Sequence, residues 1–188
     1  MRNLIFLTFI ALAFSFGLSQ VTYGVCVQDG TIPGQGNIIS CPAPIQNTSL
    51  DTTSSPATTN LNDEVDILVG AGITVPHGIA IHTADGDDVV TSSGNLVSGS
   101  QHAISTTNGN DVIIIDDGIL NGDDSAISSG SDDDTVTING GTIIGIDDRV
   151  IFTGSGNDTV TINAGIIDAS DDNTDPYILT SSGEDVVN

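Results

Sequence analysis

From Asn62 onward, apolar and polar positions follow each other in short bursts that return at a nearly fixed interval. Val90, Ile113, Val136, Val160 and Val187 each stand two residues after an Asp, and Ile67 is assigned the same place one period earlier. A second column holds Ile115, Ile138 and Ile162, with Val69 before them and Ser92 interrupting it. A third reads Ile73, Leu96, Ile119, Ile143 and Ile166. A fourth reads Ile81, Ile104, Ile127 and Ile151, each preceded by a small or slim residue: Ala80, Ala103, Ala126 and Val150. After an insertion around Asp171–Pro176, Ile178 or Leu179 takes the fourth role. Neighbouring columns two residues apart are the alternation of a β-strand, in which every second side chain shares a face. Gly, Asn, Asp and Ser punctuate the bursts, so each strand is only three to five residues long.

The phrases between the bursts confirm a repeat. GDDVV at 86–90, GNDVI at 109–113, DDDTV at 132–136, GNDTV at 156–160 and GEDVV at 183–187 carry their last Asp at 88, 111, 134, 158 and 185, with gaps of 23, 23, 24 and 27. Gly and Asp are too frequent for a helical repeat. The strand signature of leucine-rich repeats is absent. Gly154–Val160 resembles one calcium-binding nonapeptide, but it returns after about 24 residues rather than nine. A period of 23–24 fits one coil of a solenoid in which equivalent side chains stack about 4.8 Å apart. The prediction is an all-β fold: a single-stranded, right-handed parallel β-helix of about five coils over residues 62–188. Inward Ile and Val would form aliphatic ladders, and stability would come from contacts between neighbouring coils.

GNDTVTINAG at 156–165 and GDDSAI at 122–127 resemble the passenger repeats of bacterial autotransporters and related surface proteins. The resemblance covers about residues 62–188. It implies the pectate-lyase-like right-handed β-helix and display at a cell surface. One departure stands out: no run of alternating ten-residue strands with aromatic girdles, as a translocator barrel requires, follows the repeats. The chain reaches Asn188 just after opening a further coil, so a truncated product, a fragment, or end-to-end contact with a partner at an uncapped C-terminal coil is expected.

The N-terminal third differs in character. Met1–Asn3 carries an early positive charge, Leu4 to about Leu18 is apolar, and Gly17-Leu18-Ser19 offers a small-x-small cleavage signal. That is the layout of a secretory signal peptide over 1–19, too short for a membrane span. Export makes a loop-closing disulfide between Cys26 and Cys41 the expected state of the two cysteines. Residues 20–61 are then a Cys-containing segment followed by a Thr/Ser-rich linker from Thr48 to Asn62.

Charge narrows the partners. The chain has 25 acidic residues against two basic ones, for a formal charge of -23. It has no basic footprint for nucleic acid and nothing to draw it to an anionic membrane surface. A surface protein or a glycan remains as the expected ligand class. Within the repeat, Asp88, Asp111, Asp134, Asp158 and Asp185 should stack at one corner, flanked by Asp87, Asn110, Asp133, Asn157 and Glu184. Stacked carboxylates repel, and a hard divalent cation, calcium above all, would relieve them. The competing expectation is that each Asp accepts hydrogen bonds from its own turn's amides and stays solvated. Catalysis has thinner support. Polysaccharide lyases of the resembled fold need an Arg or Lys base, and only Arg149, beside Asp147 and Asp148, could serve; the motif set of the corresponding hydrolases is incomplete and out of order. His77, His82 and His102 fall at different places in the repeat and do not predict a shared metal. The expected role is therefore a secreted or surface structural or adhesive module, with a calcium-binding module and a carbohydrate-active enzyme as alternatives.

Overall fold

The structure, a computed structural model, describes residues 27–31, 37–41, 45–46, 50–51, 62–146, 149–169 and 177–188. The expected signal peptide, Cys26, most of the Thr/Ser-rich stretch, Asp147, Asp148 and the insertion at 170–176 lie outside these residues.

The chain winds as a β-solenoid with three walls. The first wall contains Val27–Thr31, Asn37–Cys41, Glu64–Ile67, Val89–Ser92, Val112–Ile115, Thr135–Ile138, Thr159–Ile162 and Val186–Val187. The second contains Ile45–Gln46, Gly72–Val75, Asn95–Ser98, Ile119–Gly122, Thr142–Gly145 and Ile166–Ala169. The third contains Leu50–Asp51, Ile81–His82, Ile104–Ser105, Ser125–Ser128, Arg149–Ser155 and Ile178–Ser182. Each lap contributes one strand to each wall, giving five laps between Glu64 and Ser182. Among the described residues there is no helix long and apolar enough to cross a membrane.

The interior is made of the predicted ladders. Val65, Val90, Ile113, Val136 and Val160 are partners in parallel register and are fully buried. Ile81, Ile104, Ile127 and Ile151 form the third wall's ladder, continued by Ile178. Burying each such side chain stabilises the fold by roughly 1.5–3 kcal/mol, and only a neighbouring lap supplies the cover. Ser92 sits fully buried between Ile67 and Ile115, where its Oγ accepts the N–H of Gly94 at 3.3 Å.

The register corrects four sequence assignments. Val65 and Ile67, not Ile67 and Val69, open the first wall's two ladders, because the first period is 25 residues (65 to 90); Val69 is 77% exposed. In the second wall, Leu120 and Ile167 continue the ladder of Ile73, Leu96 and Ile143, while Ile119 and Ile166 point outward. In the second wall each choice lies between two adjacent apolar residues, and only the pleat selects which one enters.

The walls also begin before Asn62. Asn37–Cys41, Ile45–Gln46 and Leu50–Asp51 pair in parallel with the first, second and third walls. Ile39 and Cys41 join the core, and Cys41 is disulfide-bonded. Val27–Thr31 then closes the first wall by pairing antiparallel with Asn37–Cys41. At the opposite end, Ile162, Ile167, Ala169 and Ile178 are only partly buried, and Tyr177, Val186 and Val187 are exposed.

Candidate functional site

The predicted acidic corner lies where the third wall turns into the first. A glycine enters it on most laps with positive φ: Gly86, Gly109, Gly156 and Gly183. A Cβ on Gly109 would lie 2.0 Å from the carbonyl oxygen of Gly86, so the laps approach too closely for a side chain there. Asp132 holds the same place with φ 79°, the one described non-glycine residue with positive φ.

Successive amides at this corner alternate in direction, as in a strand. Gly86 N–H donates to the Asn108 carbonyl on the following lap, and Val89 N–H to the Asp63 carbonyl on the preceding one. Between them, side-chain oxygens replace carbonyls. Asp87 N–H donates to Asn62 Oδ1 at 3.0 Å, and Asp88 N–H to Asp111 Oδ1 at 2.8 Å.

Two side-chain ladders result, and they run in opposite senses. In the inner one, the N–H groups of Asp63, Asp88, Asp111, Asp134 and Asp158 donate to Oδ1 of Asp88, Asp111, Asp134, Asp158 and Asp185 on the next lap, at 2.7–3.0 Å. In the outer one, the N–H groups of Asn110, Asp133, Asn157 and Glu184 donate back to Oδ1 of Asp87, Asn110, Asp133 and Asn157 on the lap before. Asn110 Nδ2 and Asn157 Nδ2 also donate to Asp87 and Asp133.

The five predicted Asp residues are thus brought into one column, to which Asp63 belongs as a sixth member. Asp63, Asp88, Asp111, Asp134 and Asp158 are each 1% exposed, contrary to a solvated turn, and Asp185 is half-buried. The Oδ1 atoms of Asp88, Asp111, Asp134, Asp158 and Asp185 serve an adjacent lap rather than their own turn. The Oδ2 atoms of Asp88, Asp111, Asp134 and Asp158 are buried with no hydrogen-bond partner. Burial raises Asp88 and Asp134 to about 6 and Asp111 to about 7, because a charged carboxyl loses its hydration; the amide N–H that each accepts and the neighbouring hydroxyl of Thr83, Ser129 or Thr106 offset only part of this. Five residues before each lies a buried hydroxyl: Thr83, Thr106, Ser129 and Thr153. That column was legible as a matching spacing of 23, 23 and 24, hidden by the mixture of Thr and Ser. Among the described residues, no group of three or more His, Cys, Asp or Glu side chains is placed to hold a metal ion.

The other candidates are dispersed. Arg149 is half-buried, with its guanidinium 4.8 Å from the centroid of the Phe152 ring. His102 Nε2 lies 3.5 Å from Asp124 Oδ2, His82 stands on the third wall beside Ser105, and His77 is exposed.

A second feature has no acid in it. The outward side of the first wall presents Val89, Val112, Thr135 and Thr159 in one row and Thr91, Ile114, Thr137 and Thr161 in the next, all in unbroken parallel register and all half-exposed. All eight are β-branched, which suits a pleated surface. None is charged, in a chain with 25 acids.

No protein-family model matches the chain, and neither a curated protein nor a solved structure matches it.

Proposed function

We propose that the chain is a secreted or surface-displayed solenoid with a structural or adhesive role, comparable to the passenger repeats it resembles. The observation that carries this reading is the uncharged outer face of the first wall from Val89 to Thr161. A flat, rigid, periodic surface spreads contact over several laps, and specificity then comes from the pattern of side chains rather than from a deep pocket. The surrounding negative charge disfavours acidic partners through like-charge repulsion. The ligand class that fits is a surface protein or a neutral glycan, held by hydroxyl hydrogen bonds and methyl contacts from the Thr, Val and Ile rows.

The test is binding of the full chain to an array of neutral glycans and extracellular proteins. Thr137→Lys places a cation at the centre of the face. Binding that drops at least about tenfold in this variant, with an unchanged unfolding midpoint, supports the reading (a tenfold loss is about 1.4 kcal/mol). Absence of any bound component, or binding unaffected by Thr137→Lys, overturns it.

A further inference from the structure

The inner carboxyl column poses a problem that the hydrogen bonds within the solenoid do not solve. One oxygen of each carboxyl accepts an amide N–H, but Oδ2 of Asp88, Asp111 and Asp134 is buried and accepts nothing. An ionised carboxylate offers only lone pairs. A buried charge without a counter-charge or sufficient donors is among the most costly arrangements in a protein interior.

The neighbouring hydroxyls deepen the problem. A hydroxyl carries one proton. Thr106 Oγ1 donates its proton to the Ser129 carbonyl, and Ser129 Oγ donates to the Thr153 carbonyl at 3.2 Å. Thr106 and Ser129 stand beside Asp111 and Asp134 respectively. With their protons spent on those carbonyls, the Thr106 and Ser129 oxygens present Asp111 and Asp134 with a further acceptor. Two facing acceptors are reconciled by a proton between them. At Asp88 the neighbouring Thr83 hydroxyl has no such carbonyl partner, and the case there rests on the buried Oδ2 and the surrounding acids.

Among the described residues, the charged groups acting on the column supply no cation. Asp88 faces Asp63 and Asp87; Asp111 faces Asp88 and Asp134; Asp134 faces Asp132 and Asp158. All are acids, and each disfavours ionisation of its neighbour.

We propose that the solenoid folds with protons on the inner carboxyl column, carried by Asp88, Asp111 and Asp134, so that the wall is sealed by neutral carboxylic acids and the fold is strengthened by acid. A neutral carboxyl keeps Oδ1 as acceptor for the preceding lap and turns Oδ2 into a donor toward the hydroxyl column. The raised folded-state values, about 6, 7 and 6 against 3.8 for an ordinary Asp, agree in direction. A value raised on folding means that the folded state binds the proton more tightly. The stabilisation is complete below about pH 4 and is lost as pH rises through about 6 to 7. Through that window each group weakens the folding equilibrium about tenfold per pH unit.

The test is urea unfolding of the full chain at pH 5 and pH 8, with Asp111→Asn and, as a control for removing one exposed charge, Asp117→Asn. Asn keeps the acceptor oxygen and replaces the carboxylic O–H with an amide donor. Asp111→Asn is expected to be more stable than the parent at pH 8 and to lose stability less steeply between pH 5 and pH 8, while Asp117→Asn leaves that slope unchanged. An Asp111→Asn variant no more stable than the parent at pH 8, with the parental slope, overturns the proposal. So does a calcium-dependent rise in the parent's midpoint at pH 8 that Asp111→Asn abolishes, since the column then holds a cation rather than protons. If the variant fails to fold, carbon-13 NMR of the parent decides. Buried Asp carboxyl resonances that titrate near pH 6–7 support the proposal, and titration of every Asp below pH 5 overturns it.

Discussion

The two ladders at the acidic corner lie one residue apart, use similar side chains and perform the same backbone task. They answer electrostatic repulsion differently. The outer ladder is exposed and alternates: Asn62, Asp87, Asn110, Asp133, Asn157, then Glu184. Successive acids are therefore separated by two lap heights, about 9.6 Å, instead of one. The inner ladder is buried and places Asp on every lap. Alternation suffices where water screens the charge. In the interior, removing the charge is the remaining solution, and a carboxyl can do so by taking a proton. Location, rather than residue type, sets the chemistry of each column.

Three substitutions separate these effects. The largest change is expected from Ile113→Ala, two residues beyond Asp111 in the fully buried aliphatic ladder. The loss of transfer energy plus the cavity should cost about 3 kcal/mol. Because no ionisable group is involved, the cost measured in urea should be the same at pH 5 and pH 8; a strong pH dependence would mean that the aliphatic and carboxyl columns are not energetically separate.

Next comes Asn110→Asp, which abolishes the outer alternation by setting a third carboxylate between those of Asp87 and Asp133, so that three consecutive laps carry an acid. At low ionic strength and neutral pH it should destabilise by about 0.5–1 kcal/mol. The loss should shrink in molar salt, because these groups are exposed and screened. An unchanged midpoint at low salt would remove electrostatics as the reason for alternation.

The smallest effect is expected from Asp132→Gly, which restores the residue present at this corner on the neighbouring laps. Relief of the positive-φ conformation should outweigh glycine's greater chain entropy by about 0.5 kcal/mol. A fall in the thermal midpoint would show that the Asp132 side chain contributes more than its backbone costs.

Much of the solenoid was legible because its repeat is enforced by geometry. A side chain that must stand above its predecessor imposes a spacing, and Val90, Ile113, Val136 and Val160 keep it. The lap at 37–51 was concealed because its spacing to the next differs by wall: 26 residues from Ile39 to Val65, 27 from Ile45 to Gly72 and 31 from Leu50 to Ile81. Insertions at the corners lengthen a lap without disturbing its strands. The Ile119–Leu120 choice was undecidable from hydrophobicity, since both residues are apolar. The Asp column was visible as a column, but its burial was not. An Asp after Gly-Asn or Gly-Asp ordinarily marks a wet turn. Here the next lap covers it, and that depends on a neighbour 23 or 24 residues away.

The alternation of the outer ladder carries an evolutionary consequence. Asn62 and Asn110 are 48 positions apart, Asn110 and Asn157 are 47, and Asp87 and Asp133 are 46. Although one turn of the coil is the structural unit, the smallest segment that can be duplicated or excised while keeping amide and acid strictly alternating is a pair of turns. Gene growth in this array should therefore favour even steps, and homologues that differ in length should differ by doublets.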